Sequence, residues 1–442
     1  MSKGTIEDYL TRVCSHVKYK KIHRELRGEL RDHLEELAAD REDAGYKREE
    51  AEAWAVEQMG DPEPVGRQLH RLHKPKLNWG VLAAVLLLGG AGLLGITSYS
   101  ASSSEQLAQR YGSNHPIYLA MAFVIMGVLY FIDYRKLKSL SWLLYSTTLL
   151  GMMAALLDGQ QVNGATKWLH FGFLGVVDIM GWSCYLLVIA LAGIWTRTGT
   201  KADYRGWTGL PLLILPLWLY SKSSGVLPEM FLFLVTALVL YVRISKQWRS
   251  AVLTGAAGAA GIVLILGTNP LYTGRLEMAR SADGGGYLLG VLKKVQDQAG
   301  WWGQGYGEPP NFIDGGTLPY AATDALLTYF IYAFGWAAGI AVACVILWLI
   351  VKAYLASTAV HEGYGHALMT GIATLLCVQF IYNLLKLSGE IPLVGLPLPF
   401  MSYGGSHLII EYAAMGLLLG IYRTKDLIRY PSSSSRSHLS AK

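Results

Sequence analysis

The chain has 442 residues and a net charge of +6, and 52% of its residues are hydrophobic while only 16% are charged. This balance is typical of integral membrane proteins and argues against an ordinary soluble enzyme. The lysines and arginines lie in short loops between apolar spans, so membrane topology explains the positive charge better than nucleic-acid binding does.

Residues 1–75 are densely ionic and predict a small cytoplasmic bundle of three or four helices. Leucines recur at helical spacing among charged residues, and Gly60-Asp61-Pro62 ends an amphipathic stretch because proline cannot continue a helix. No secretory signal is visible, so we expect this segment to stay in the cytoplasm. It resembles the helical prefix (HAAS or permease-prefix) domains that precede membrane regions of bacterial transporters and regulators, which implies a docking or regulatory role.

Residues 76–430 contain ten apolar spans, each close to the length that crosses a bilayer. The spans are predicted at 79–99, 116–133, 139–157, 173–195, 207–221, 226–243, 251–268, 323–351, 367–387 and 407–423. The expected fold class is therefore all-α, a polytopic membrane protein with about ten transmembrane helices and a small soluble bundle.

Basic residues in the loops predict the orientation of the spans, because lysine and arginine accumulate on the cytoplasmic side. Clusters follow the second, fourth, sixth and tenth spans, which places both termini in the cytoplasm. The long loop 269–322 then lies outside, and its glycines and tryptophans favour a structured loop over a disordered one. The Ser-rich tail 431–442 is expected to be disordered.

The most specific motif is Gly-Leu-Pro-Leu-Pro-Phe-Met-Ser-Tyr-Gly-Gly-Ser at 395–406, just before the last span. Two amides, Gln379 and Asn383, precede it on one helix face, and a Thr323-Asp324 pair opens the eighth span. Over residues 80–425 these features closely resemble the SEDS family (FtsW, RodA and SpoVE), the peptidoglycan polymerases of the bacterial cytoplasmic membrane.

The resemblance implies an inverting glycosyltransferase that polymerises lipid II at the outer membrane face in cell division, shape or sporulation. Asp324 falls on the carboxylate regarded as catalytic in that family, and we expect it to act as general base; the alternative is a helix cap. Matching positions are expected to bind substrate or form its scaffold: Arg275, Thr323, Gln379, Asn383, Ser402 and Tyr403. For the two amides, hydrogen bonding between helices is an equal alternative.

The same resemblance implies two further components. A divalent cation, Mg²⁺ or Mn²⁺, suits the departing pyrophosphate. A class B penicillin-binding protein is the expected partner that cross-links the new strands, and membrane lipid surrounds both. No nucleic acid is expected.

Where the sequence departs from the family's pattern, charged residues are missing. Gly164-Ala-Thr-Lys-Trp168 resembles the lead-in to the fourth span, but the following Gln-Pro-Ser-Glu element and its lysine are missing. We expect Asp178 to substitute for the lost glutamate and no lysine to substitute within that helix. Lys386 either forms a relocated ion pair with Glu390 or extends its ammonium to the headgroups, and we favour the second interpretation.

Two other functions stay open at this point. A membrane cavity that binds lipid II would also suit a flippase, which moves the lipid without chemistry. A flippase, however, needs no base at the outer face. The lost charges suggest instead a non-catalytic scaffold or regulator of a cell-wall complex.

Overall fold

The computed structural model describes residues 6–19, 23–72, 77–162, 165–170, 172, 175–198, 209–223, 225–268, 273, 285–310, 318, 320–388 and 395–425. Contacts between Cα atoms divide the chain into two compact units. The larger is Asn78–Tyr422, and the described residues before Asn78 belong to the other.

The N-terminal unit is a bundle of four helices. They are α1 (Ile6–Ser15), α2 (His23–Asp43), α3 (Arg48–Met59) and α4 (Pro62–Leu72). Its core contains Leu10, Val13 and Leu34, together with two alanines of α3 that let the helices approach closely. Gly60 ends α3 with a φ of 76°, a backbone conformation that suits glycine.

The larger unit is built mainly from helices. They are α5 (Trp79–Ala101), α6 (Glu105–Phe131), α7 (Arg135–Ser139), α8 (Ser141–Asp158), α9 (Ile179–Thr198), α10 (Ile214–Lys222), α11 (Leu227–Ser245), α12 (Trp248–Thr268), α13 (Gly285–Ala299), α14 (Leu326–Thr358), α15 (Gly363–Leu387) and α16 (Gly405–Thr424). Eight of the described helices can cross a membrane by length and composition. The third and fifth predicted spans correspond to α8 and to the shorter apolar segment Leu210–Lys222. The protein is therefore a multi-pass membrane protein.

The helices differ in how much of their surface neighbouring helices cover. Of the residues in the most apolar part of α9 and of α16, 78% and 72% are buried inside the unit. In α12 only 11% are buried. Large apolar side chains such as Val124, Leu150 and Val263 are about two-thirds exposed, which suits contact with lipid tails. Helices α9 and α16 thus form the centre, and the charged residues described below lie against them.

A small antiparallel sheet adds to the helical fold before α9. Its strands are β1 (Gln160–Val162), β2 (Ala165–His170) and β3 (Val176–Asp178), and Trp168 lies opposite Asp178. The predicted start of the fourth span at residue 173 was wrong, because the β-branched Val176 and Val177 belong to β3 and the helix begins at Ile179. The sheet places charged residues at the end of the membrane unit where α9 begins.

Candidate active site

Asp324 lies in a tight turn immediately before α14. The turn is closed by the carbonyl of Tyr320, which accepts hydrogen bonds from the amides of Thr323 (3.0 Å) and Ala325 (2.9 Å). Helix α14 starts after Ala325 without a side-chain cap, and no described residue donates a hydrogen bond to the Asp324 carboxylate. The helix-cap alternative therefore has no support among the described contacts.

The signature segment holds this turn through backbone atoms. The Ser402 hydroxyl donates to the carbonyl of Thr323 (2.8 Å), and the amide of Tyr403 donates to the carbonyl of Ala322 (2.8 Å). Ser402 also accepts a hydrogen bond from the amide of Leu398 at 2.8 Å, so its hydroxyl both donates and accepts within this segment. Ser402 and Thr323 thus position the Asp324 turn.

The ring of Tyr403 packs against tyrosines of α6. Its centroid lies 4.7 Å from that of Tyr111, with the rings edge to face, and 6.0 Å from that of Tyr118. Burial raises the pKa of the Tyr403 phenol above its ordinary value, so the hydroxyl stays protonated at neutral pH. These contacts fix one wall beside the Asp324 turn.

Lys386 reaches the same turn from α15. Its ammonium Nζ donates to the carbonyl oxygens of Asp324 (3.0 Å) and Leu396 (2.7 Å), and the residue is only 5% exposed. We favoured the interpretation that Lys386 extends its ammonium to the headgroups. That interpretation was wrong, because the ammonium is buried and donates to these two carbonyls. Glu390, the partner in the other interpretation, lies outside the described residues.

A buried lysine and two carboxylates form a second group, which we call the hairpin cluster: Lys167, Asp178 and Glu229. Lys167 Nζ lies 2.9 Å from Glu229 Oε1 and 3.1 Å from Asp178 Oδ2. Burial opposes the charge on Lys167, but the two carboxylates, with a contribution from Asp324, outweigh it and raise the pKa of the ammonium above its ordinary value. Asp178 is therefore an ion-pair partner of Lys167, a lysine of β2.

The hairpin cluster contacts both ends of the signature segment. A Cβ on Gly395 would lie 3.2 Å from Glu229 Oε1, and the Ser406 hydroxyl accepts a hydrogen bond from the amide of Asp178 at 3.3 Å. Since the middle of the segment holds the Asp324 turn, the segment connects the two charged groups.

Gln379 and Asn383 are both buried and bonded. The amide nitrogens of Gln379 and Asn383 donate to the carbonyl of Pro397 at 2.9 and 3.1 Å. Gln379 also donates to Glu411 Oε1 (2.7 Å) and accepts from the Tyr185 hydroxyl (3.0 Å). These bonds fit the alternative of interhelical hydrogen bonding, since they join α9, α15 and α16 to the signature segment.

The sequence argument missed three buried ionisable residues, Glu229, Glu411 and His407. Glu411 Oε2 accepts from the amide of Phe400 at 2.8 Å, and His407 Nε2 lies 3.7 Å from Glu411 Oε1. A charge inside an apolar span was the available signal, because such residues almost always have a structural or functional partner.

Two predicted features, the role of Arg275 and the divalent cation, have no observed geometry. Arg275 lies outside the described residues. Within the described ranges, no group of three His, Cys, Asp or Glu residues is arranged to hold a metal ion. Among the same described residues, the carboxylates of Asp178 and Glu229 bind Lys167, so these donors do not form a metal site by themselves.

Comparison with known proteins extends over most of the chain. The family model for FtsW, RodA and SpoVE cell cycle proteins matches residues 78–427. A probable peptidoglycan glycosyltransferase FtsW of Aliivibrio salmonicida is 28% identical over 78% of this chain and 88% of its own. The corresponding protein of a Thioalkalivibrio species (strain K90mix) is 29% identical over 78% and 90%.

Solved structures share the fold. A chain from a peptidoglycan synthase complex that coordinates polymerisation and crosslinking superimposes with a TM-score of 0.65 and 20% identity, covering 79% of this chain and 98% of that one. The rod shape determining protein RodA of Thermus thermophilus gives a TM-score of 0.58 and 19% identity over 79% and 97%. The chain belongs to the FtsW, RodA and SpoVE family of cell cycle proteins.

Proposed function

We propose that the protein is a peptidoglycan glycosyltransferase that polymerises lipid II at the outer face of the cytoplasmic membrane. The observation that carries this proposal is the Asp324 turn. Its backbone is held by Lys386 and by the Ser402 segment, while its carboxylate receives no hydrogen bond from a described residue. A general base needs such a fixed position and a lone pair free to accept a proton.

The proposed reaction is a single displacement. The C4 hydroxyl of one lipid-linked disaccharide attacks the anomeric carbon of another, its proton passes to Asp324, and the bond to undecaprenyl pyrophosphate breaks. The new glycosidic bond has inverted configuration. The carboxylic acid formed on Asp324 returns its proton to solvent before the next cycle.

A buried cation supports this chemistry. Lys386 brings positive charge to the Asp324 turn, where the departing pyrophosphate carries negative charge, whereas the charge of Lys167 is already balanced by Asp178 and Glu229. The fixed charge of Lys386 favours catalysis over the non-catalytic scaffold, which was suggested by the lost charges. The divalent cation stays a prediction, and no step of the proposed reaction depends on it.

The solved relative from a peptidoglycan synthase complex supports a partner that cross-links the product, and we propose a class B penicillin-binding protein in that place. We also propose that both termini are cytoplasmic and that residues 269–322 lie outside, from the distribution of lysine and arginine. In a cysteine-free background, Phe312→Cys should react with a membrane-impermeant reagent in intact cells and Asp40→Cys should not. The reverse labelling contradicts the orientation.

The experiment that tests the function is reconstitution of the purified protein with lipid II, with and without the penicillin-binding protein. Wild type should form glycan chains, and Asp324→Asn should form few or none while remaining folded. If wild type and Asp324→Asn transport lipid II equally and neither forms chains, the flippase is favoured instead. If wild type neither transports lipid II nor forms chains, the scaffold is favoured.

A further inference from the structure

A cavity of about 500 Å³ has no role in the mechanism above. It is formed by α13, the turn after α13, the middle of α14 and the end of α15. Its lining residues are Lys293, Gln296, Asp297, Gly300, Trp301, Trp336, Ile340, Leu387 and Ser388. The volume falls within the range of small-molecule sites.

The cavity wall that carries Trp301 is fixed by a break in α14. Helix α14 departs from helical geometry at Gly335, where φ is 89° and ψ is 166°. The backbone groups released by the break bond to the turn after α13: Gln304 N to Tyr332 O (2.9 Å), Gly305 N to Ala333 O (3.0 Å), Trp336 N to Gly300 O (3.1 Å) and Ala337 N to Trp301 O (3.3 Å). Four backbone hydrogen bonds therefore hold this turn against the broken helix.

Glycines allow this close approach. A Cβ on Gly335 would lie 2.2 Å from the carbonyl oxygen of Trp301, and one on Gly303 would lie 2.3 Å from that of Ala333. Only glycine fits at these distances, and both residues have positive φ. The backbone under Trp301 is thus fixed, while the indole is 67% exposed and free to contact a ligand.

The lining chemistry suits a neutral, hydroxyl-rich ligand. Trp301 and Trp336 offer indole faces, whose negative electrostatic potential attracts the C–H groups of a sugar ring. Lys293 and Asp297 lie one turn apart on α13 and contribute one donor head and one acceptor head, while the amide nitrogen of Gln296 is directed to the Thr328 hydroxyl at 3.5 Å. The opposite charges balance, whereas a phosphate site needs several positive donors.

The cavity and the Asp324 turn are both contacted by the end of α15. Leu387 and Ser388 follow directly after Lys386, whose ammonium bonds to the backbone of Asp324. We propose that the cavity is a saccharide-binding site that holds β-1,4-linked N-acetylhexosamine units of the growing glycan, an inference that rests on the proposed function. Holding the strand near Asp324 favours repeated additions before release.

Calorimetric titration of the full-length protein in detergent with chitotetraose, a soluble β-1,4-linked N-acetylglucosamine tetramer, tests this site. We expect wild type to bind, and Trp301→Ala and Asp297→Asn each to bind about tenfold more weakly, the loss that corresponds to one aromatic or charged contact. Trp302→Ala and Lys294→Ala are matched controls, because these neighbours are exposed and do not line the cavity. Both controls should bind as wild type does.

Glycan length gives a second readout, since Trp301→Ala should make shorter chains from lipid II than Trp302→Ala does. Three results overturn the proposal: no binding by wild type, unchanged binding by Trp301→Ala, or equally weakened binding by Trp302→Ala. The last result indicates that both rings anchor the loop at the membrane interface. The test is separable from that of the function. Chitotetraose binding by a protein that makes no glycan refutes the polymerase and keeps the site.

Discussion

The hairpin cluster and the Asp324 turn place carboxylates in opposite surroundings within one membrane unit. In the hairpin cluster, Asp178 and Glu229 bind the ammonium of Lys167 directly. At the turn, the neighbours bind the backbone and leave the Asp324 carboxylate without a described donor. A buried carboxylate stays ionised only when a cation or donors compensate it, whereas a base must keep a lone pair available. In the proposed mechanism, this difference separates the charges that stabilise the fold from the carboxylate that reacts.

The largest effect on stability is expected for Lys167→Met. This change leaves the buried carboxylate of Glu229 and the partly buried one of Asp178 without their cation, and breaking a buried pair from one side costs about 3–5 kcal/mol. The thermal midpoint in detergent should fall steeply, and adding Asp178→Asn and Glu229→Gln should recover part of it. If the Lys167→Met protein has normal stability but makes no glycan, the hairpin cluster takes part in the reaction. That result contradicts the comparison.

Lys386→Met should affect both properties. The carbonyls of Asp324 and Leu396 lose their donor, at a cost of about 1–3 kcal/mol each for the unsatisfied groups. Glycan synthesis should fall about a hundredfold, as expected when a fixed charge or donor leaves a reaction centre. Lys352→Met, at an exposed lysine of α14, is the control and should match wild type in both measurements. Full activity of Lys386→Met shows that the turn is held without this lysine.

A smaller effect is expected for Ser402→Ala, which removes one hydroxyl between Leu398 and Thr323. The two backbone groups lose a partner, and stability should fall by about 1–3 kcal/mol. Because Ser402 acts on Asp324 only through the turn, the turnover rate should fall less than tenfold and the apparent affinity for lipid II should change little. A loss as large as that of Asp324→Asn makes Ser402 part of the chemistry.

Much of the fold could be predicted from the sequence, because bilayer length and apolar composition determine where a chain can span a membrane. The spans at Trp79 and Leu227 begin where the hydrophobic runs begin. The start of the fourth span was misplaced because Val176 and Val177 suit a strand as well as a helix. The distinction depends on pairing with β2, which local composition does not encode.

Part of the candidate site could be proposed from the sequence. Asp324 was selected because it lies in an ordered motif, and Ser402 because the signature segment is specific. The ion pair of Lys167 with Glu229 joins residues 62 positions apart, and the bond of Lys386 to the backbone of Asp324 depends on the packing of α15 against the turn. Contacts of this kind arise from tertiary structure, so neither residue type nor spacing indicated them.

The central claim is tested most directly by comparing Asp324→Asn with Asp178→Asn, two changes of the same chemistry at neighbouring carboxylates. Both proteins are reconstituted with lipid II, and glycan formation and the thermal midpoint are measured on the same preparations. Asp324→Asn should keep the midpoint of wild type and lose about a hundred- to ten-thousand-fold in rate. Asp178→Asn should lower the midpoint and, where folded, keep the rate within tenfold. Near wild-type polymerisation by Asp324→Asn contradicts the account.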